Sequence, residues 1–214
     1  MDILESLCGG IFIKKIKIME YEYSSEKYYN ELNGKKVICI DFDNTICLDE
    51  WPYIGPLIPG AKEVLTKLQE AGHKLILYTQ RHYFYPICCK ELEEYKNSEE
   101  NSIYKHDNNT VDILTPALSI CEYNGIVFDD INENQNWELS TGDRSRKIFM
   151  DYLIDDHVVG TRRLEVVNKF GEVCKIVDWF VIDEWCIEEG LYNESAFKCS
   201  YQDYLHDVNL LDNH

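Results

Sequence analysis

A short apolar run, Val37-Ile38-Cys39-Ile40, leads directly into two carboxylates spaced two apart, Asp41 and Asp43. Such a β-branched run reads as a buried strand. Side chains at i and i+2 of an extended chain share a face, so the strand delivers both acids to its C-terminal tip. Two carboxylates that close repel, and a cation or a proton must offset them.

The segment after this strand fixes the topology. Ala61, Val64, Leu65 and Leu68 fall at i, i+3, i+4 and i+7, the core stripe of an amphipathic helix. Pro59-Gly60 opens this helix and Gly72 closes it. A second apolar strand, Lys74 to Tyr78, then ends at Thr79. Strand, helix and strand joined by a short turn form a βαβ unit, whose strands are parallel. The pattern predicts an α/β fold: a Rossmann-like three-layer sandwich around a central parallel sheet. Ile126-Val127-Phe128 reads as the third strand and Tyr152-Leu153-Ile154 as the fourth, which ends in Asp155-Asp156. Ligands of open parallel sheets bind beyond the carboxyl ends of the strands. Asp41, Asp43, Thr79, Asp155 and Asp156 can therefore meet in one crevice.

The chain divides into an N-terminal extension (1–34), a catalytic core (35–165) and a C-terminal helix with an acidic tail (166–214). Residues 11–18 could add a strand, and Asn33-Gly34 is a turn signal. Residues 49–60, rich in Pro and Gly, read as a hairpin-like flap. A polar insertion over 83–110 follows the second core strand, with a helix around 86–95, and could act as a partial lid. Tyr83, Phe84 and Tyr85 read as its core. A helix is expected over 113–123, and Ile176, Trp179, Phe180 and Ile182 read as one face of a later helix ending at Cys186.

The formal net charge of -18 disfavours nucleic-acid backbones and anionic membranes as partners. Nine cysteines without CxxC spacing point to free thiols in a reducing, cytoplasmic compartment. No apolar stretch approaches the ~20 residues that span a bilayer. The N-terminal apolar segment is broken by Lys14, Lys15 and Lys17, which makes a poor signal peptide.

Asp41-Phe42-Asp43-Asn44-Thr45, Thr79, Lys147 and Asp155-Asp156, in this order, resemble the four motifs of the haloacid dehalogenase (HAD) superfamily. Residues 36–165 carry the resemblance, which is to small members with little or no cap. It implies a Mg²⁺-dependent phosphatase acting on a small phosphomonoester, such as a nucleotide or sugar phosphate, through an aspartyl-phosphate. Asp41 would be the nucleophile, and Asp43 the acid and then the base. Thr79 and Lys147 would hold the phosphate with the backbone N–H groups of Phe42, Asp43 and Gln80. Asp41, Asp43 (through its carbonyl), Asp156 and Asp155 would hold the metal, the last directly or through water. Arg81 and His82 could touch substrate or simply face solvent. Two other readings stand beside this one: a polynucleotide 3'-phosphatase, and a non-catalytic HAD-like binding module. Dehalogenase chemistry fits less well, because it has no use for Asp43.

Overall fold

The computed structural model describes residues 25–98, 109–135, 138–139 and 148–213. The predicted strand at 11–18 lies outside them. The fold is mixed α/β around a four-stranded, all-parallel sheet. Chain order is α1 Ser25–Leu32, β1 Val37–Ile40, β2 Cys47–Glu50, β3 Tyr53–Leu57, α2 Ala61–Glu70 and β4 Lys74–Leu77. Then come β5 Tyr85–Pro86, α3 Lys90–Asn97, β6 Thr110–Val111, α4 Thr115–Tyr123, β7 Asp130–Ile131 and β8 Tyr152–Ile154. β9 Arg163–Val167, β10 Val173–Val177, α5 Trp179–Glu188 and α6 Tyr201–Asn209 complete it, with a 3₁₀ turn at Leu210–Asn213. The sheet order is β7-β4-β1-β8.

β1 is buried along its whole length because both faces of the sheet are covered. Ile38 and Ile40, with Leu75 and Leu77 of β4, face the main core. There they meet Ala61, Val64, Leu65 and Leu68 of α2, Ala117 and Cys121 of α4, and Trp179 and Cys186 of α5. Val37, Cys39 and Ile76 face the other way, onto Tyr28 of α1 and the segment Ile148 to Met150. The N-terminal helix thus docks on the core, anchored by Tyr28. Between it and β1, Asn33 and Gly34 both take positive φ, 48° and 79°, and turn the chain. Among the described residues no helix is long and apolar enough to cross a membrane.

Several sequence expectations are corrected. The third strand is β7 at Asp130–Ile131, not residues 126–128. The Asp129 carboxylate accepts from Leu75 N–H at 2.8 Å, and Asp129 N–H donates to Leu75 O. These bonds start the pairing three residues late and leave Val127 exposed. Ile176 belongs to β10 rather than to a helix, because it lies in an antiparallel β9–β10 hairpin opposite Leu164. This hairpin was not anticipated, and β9 runs across the boundary drawn between 165 and 166. The insertion packs Leu92 and Tyr95 against Val111 and Ile113, which lie just beyond it, in a small core of their own. Tyr85 packs against it, but Tyr83 and Phe84 are exposed. The tail carries an ordered helix, α6, opened by a reciprocal capping box between Ser200 and Asp203.

His73, in the turn before β4, ties three segments together. Its Nδ1 accepts from Lys36 N–H at 3.0 Å, so Nε2 carries the proton and donates to Leu191 O at 2.8 Å. Protonating Nδ1 breaks the first bond. Burial holds the imidazole below its usual 6.5, with Lys35 and Lys36 acting in the same direction; the Leu191 carbonyl and Asp151 oppose them. The unfolded chain therefore binds the proton more readily, and the His73 contribution, full above about 6.5, is lost progressively as pH falls below it. Urea unfolding at pH 7.5 and 5.5 is expected to show a loss on acidification that His73→Gln reduces. An unchanged loss in the variant would exclude His73 as its source.

Candidate active site

Strand register brings the acids together. Ile40 is level with Ile154 of β8, and Asp41 N–H extends the ladder to Ile154 O at 3.0 Å. The next residues, Asp41 and Asp155, thus lie at adjoining strand tips. On the other side Ile40 pairs with Leu77 of β4, which brings Tyr78 and Thr79 to the same edge.

Beyond Asp41 the chain makes a tight loop. The Phe42 carbonyl accepts from the N–H groups of Thr45, Ile46 and Cys47. Asn44 sits at φ 57°, a conformation its short polar side chain tolerates, and its Oδ1 accepts from Asp49 N–H. The buried Thr45 joins the two acidic motifs: its hydroxyl accepts from Asp156 N–H at 3.2 Å and lies 3.5 Å from Asp41 Oδ2. Its carbonyl accepts from the indole of Trp179 at 2.7 Å, which ties the loop to α5.

A cleft of about 340 Å³ opens over these tips. Asp41, Asp43, Asp155 and Asp156 form its acidic floor, with His157 beside them. Asp49 and Trp51 of the β2–β3 flap, Tyr85 of the insertion, and Gln80 form walls. The Trp51 and Tyr85 rings meet edge to face, centroids 5.9 Å apart, so flap and insertion touch over the site. From outside, Lys169 at the β9–β10 turn pairs with the buried Glu50 of the flap, and Asn168 donates to Asp49 O.

Burial pushes the Asp41 carboxyl up to about 7; the charges of Asp155, Asp43 and Asp156 add to this, and Phe42 N–H opposes it. Asp156 is also raised, mainly by burial and further by Asp155, against the contact of His157 Nδ1 at 2.8 Å. Asp43 is raised by burial and pulled back by Arg81. Among the described residues no lysine or arginine pairs with the carboxylates of Asp41, Asp155 or Asp156. Asp155, Asp156 and His157 can each present a ligand atom within 4.8 Å of the others. Clustered carboxylate oxygens suit a hard cation such as Mg²⁺, and the histidine nitrogen widens the choice to Mn²⁺.

The remaining expected residues divide. Gln80 lines the cleft; the Phe42 side chain packs in the core, while its N–H donates to the Asp41 carboxylate. Thr79 is nearly buried and stands behind the cleft wall: its N–H and C=O are held by the Asn132 side chain, and its hydroxyl accepts from Arg81 N–H. Lys147 lies outside the described residues. Sequence reasoning missed His157 and Asp49 and gave Arg81 no defined part. Arg81 is in fact buried and bonded to Asp43.

No protein-family model and no curated protein matches the chain. Among solved structures, a conserved protein coded by a locus of Bacteroides thetaiotaomicron is similar. It has 29% sequence identity, with 72% of this chain and 91% of that chain covered and a TM-score of 0.47.

Proposed function

We propose that this protein is a Mg²⁺-dependent phosphomonoesterase with a HAD-like, three-layer Rossmann-type core. Its substrate would be a small phosphorylated metabolite in the cytoplasm. The observation that supports this most is the convergence of Asp41, Asp43, Asp155 and Asp156 on one small cleft. Bound Mg²⁺ supplies positive charge that offsets repulsion between these carboxylates and a phosphoryl group. Asp41, Asp155, Asp156 and the Asp43 carbonyl would hold it.

Asp41 attacks phosphorus in line with the ester bond. The Asp41 O–P bond forms as the P–O bond to the leaving group breaks. Asp43 gives a proton to the departing oxygen, then takes one from the water that attacks the aspartyl-phosphate. That attack releases inorganic phosphate and restores Asp41. Thr79, held behind the cleft wall by Asn132 and accepting from Arg81 N–H, braces the strand tip that presents Gln80 rather than meeting the phosphate itself. Gln80 N–H and Lys147 would form the cradle. The size of the cleft and its acidic floor favour a small monoester over a polynucleotide end. The eight described cysteines are free thiols, as a reducing compartment allows.

The test is phosphate release from an aryl phosphate by the purified protein. Release is expected with Mg²⁺, and its loss is expected on chelation, restored by added metal. No metal-dependent release from the aryl phosphate or from a panel of small phosphomonoesters would overturn the reading.

A further inference from the structure

Arg81 is 1% exposed, yet it touches the one acid of the cleft that must move protons. Its Nε lies 3.2 and 3.0 Å from the two carboxylate oxygens of Asp43, and Nη2 lies 2.6 Å from Oδ1. The other side of the guanidinium reaches the flap: Nη1 donates to Pro52 O at 3.2 Å and Nη2 to Tyr53 O at 3.0 Å. The guanidinium carbon stands 5.1 Å from the Phe42 ring centroid. All three nitrogens are thus engaged within the protein, on acceptors from two segments. The Asp43 side chain keeps 28% exposure and also lines the cleft.

We infer that Arg81 is a positioning residue: its fork fixes the Asp43 carboxyl against the flap and so sets where the proton donor stands relative to the leaving oxygen. This rests on the phosphoryl-transfer reading above. Arg81 borders the cleft but is almost wholly buried, and each of its three nitrogens already bonds Asp43, Pro52 or Tyr53, so its part is to hold these groups rather than a substrate oxygen. A lysine would keep the charge but not the planar fork that grips a carboxylate and two carbonyls together. The flap segment that Arg81 grips adjoins Trp51, a wall of the cleft. One side chain therefore sets both the acid and the surface against which the leaving group rests.

A role through Asp43 has a signature that a merely structural role lacks. Proton donation matters for an alkoxide leaving group and little for a nitrophenolate, which departs unaided. kcat/KM reports the steps up to departure of the leaving group, so it is the quantity to compare. The full chain is assayed with Mg²⁺ on 4-nitrophenyl phosphate and on a simple alkyl phosphate. Arg81→Met is expected to lower kcat/KM for the alkyl ester by about 100-fold or more, and for the aryl ester by about tenfold or less. Arg81→Lys is expected to show the same split in smaller measure. Equal losses on both substrates, or no loss, overturn the inference. If Arg81→Met does not fold by circular dichroism, Arg81→Lys alone decides. Wild-type protein inactive on every phosphomonoester would remove the phosphoryl-transfer reading and this inference with it; active wild type with an unsplit variant removes this inference alone.

Discussion

Asp41→Asn is expected to lower phosphate release on the order of 10⁴-fold or more and at the same time to raise the melting temperature in metal-free buffer at pH 8. The two effects have one origin. Asparagine keeps the shape of aspartate but offers no anionic oxygen to phosphorus. Loss of a nucleophile in other covalent mechanisms costs rates of this order or beyond. The same carboxylate is costly to the fold, since burial and the charges of Asp155, Asp43 and Asp156 push its proton affinity up to about 7. An acid with a raised folded pKa destabilises the native state once it ionises. The penalty grows as pH rises from the ordinary 3.8 toward 7 and is complete above that. Removing the charge should therefore stabilise the protein by on the order of 2 kcal/mol at pH 8, allowing for relaxation and water entry. The gain should vanish near pH 4 and shrink when Mg²⁺ is added. A variant that retains wild-type release excludes Asp41 as the nucleophile. One that is less stable than wild type at pH 8 shows that the acids are not crowded as the cleft geometry requires.

Locality separates the elements that were legible in the sequence from those that were not. β1, α2, β4 and β8 each carry a complete local signature: the strands are apolar runs, as a sheet covered on both faces requires, and α2 shows its buried stripe at Ala61, Val64, Leu65 and Leu68. The acids at 41, 43, 155 and 156 were readable for the same reason, since they interrupt such runs at their tips. β7 was misread because part of its anchoring to β4 runs through the side chain of Asp129, which has no hydrophobic signature. The β9–β10 hairpin did have one: alternation in Arg163–Val167 and Val173–Val177, with Asn168 and Gly171 between. Ile176, read together with Trp179 and Phe180, instead suggested helical spacing. The capping box at Ser200 and Asp203 was likewise present in the sequence of the tail. Arg81 belongs to a different class. Its partner Asp43 is 38 positions away, and nothing local marks that distance. Parallel strands make the meeting unavoidable, because register alone brings residues 40 and 77 side by side.

The largest loss of stability is expected from Asp183→Ala, far from the cleft. Asp183 sits on α5 with 1% exposure, among the most buried carboxylates of the chain. Among the described residues no lysine or arginine pairs with it; three donors from the tail hold it instead. The Tyr192 hydroxyl donates at 2.7 Å, Ala196 N–H at 2.9 Å, and the Ser195 hydroxyl to the second oxygen. These bonds bring Leu191, Tyr192 and Phe197 onto the main core, where the Phe197 ring packs so close to Gly60 that a Cβ there would stand 2.5 Å from it. Alanine removes every acceptor at once: the buried Tyr192 hydroxyl is left unsatisfied at about 1–3 kcal/mol, and the half-buried Ala196 N–H and the exposed Ser195 hydroxyl lose about 0.5–1.5 kcal/mol each. The three are coupled and do not add fully, so a total of about 3–5 kcal/mol is expected. For a chain of this size that corresponds to roughly 10–15 °C in melting temperature. Asp183→Asn should lose less, because one amide oxygen still accepts and the serine or tyrosine hydroxyl can turn to accept from the amide. In either variant, phosphate release per folded molecule should stay near wild type at 20 °C. Among the described residues, α5 reaches the site loop through Trp179, whose indole donates to Thr45 O, and that bond does not involve the tail. If Asp183→Ala melts with the wild type, the tail is held by its apolar contacts alone and the buried carboxylate adds nothing net.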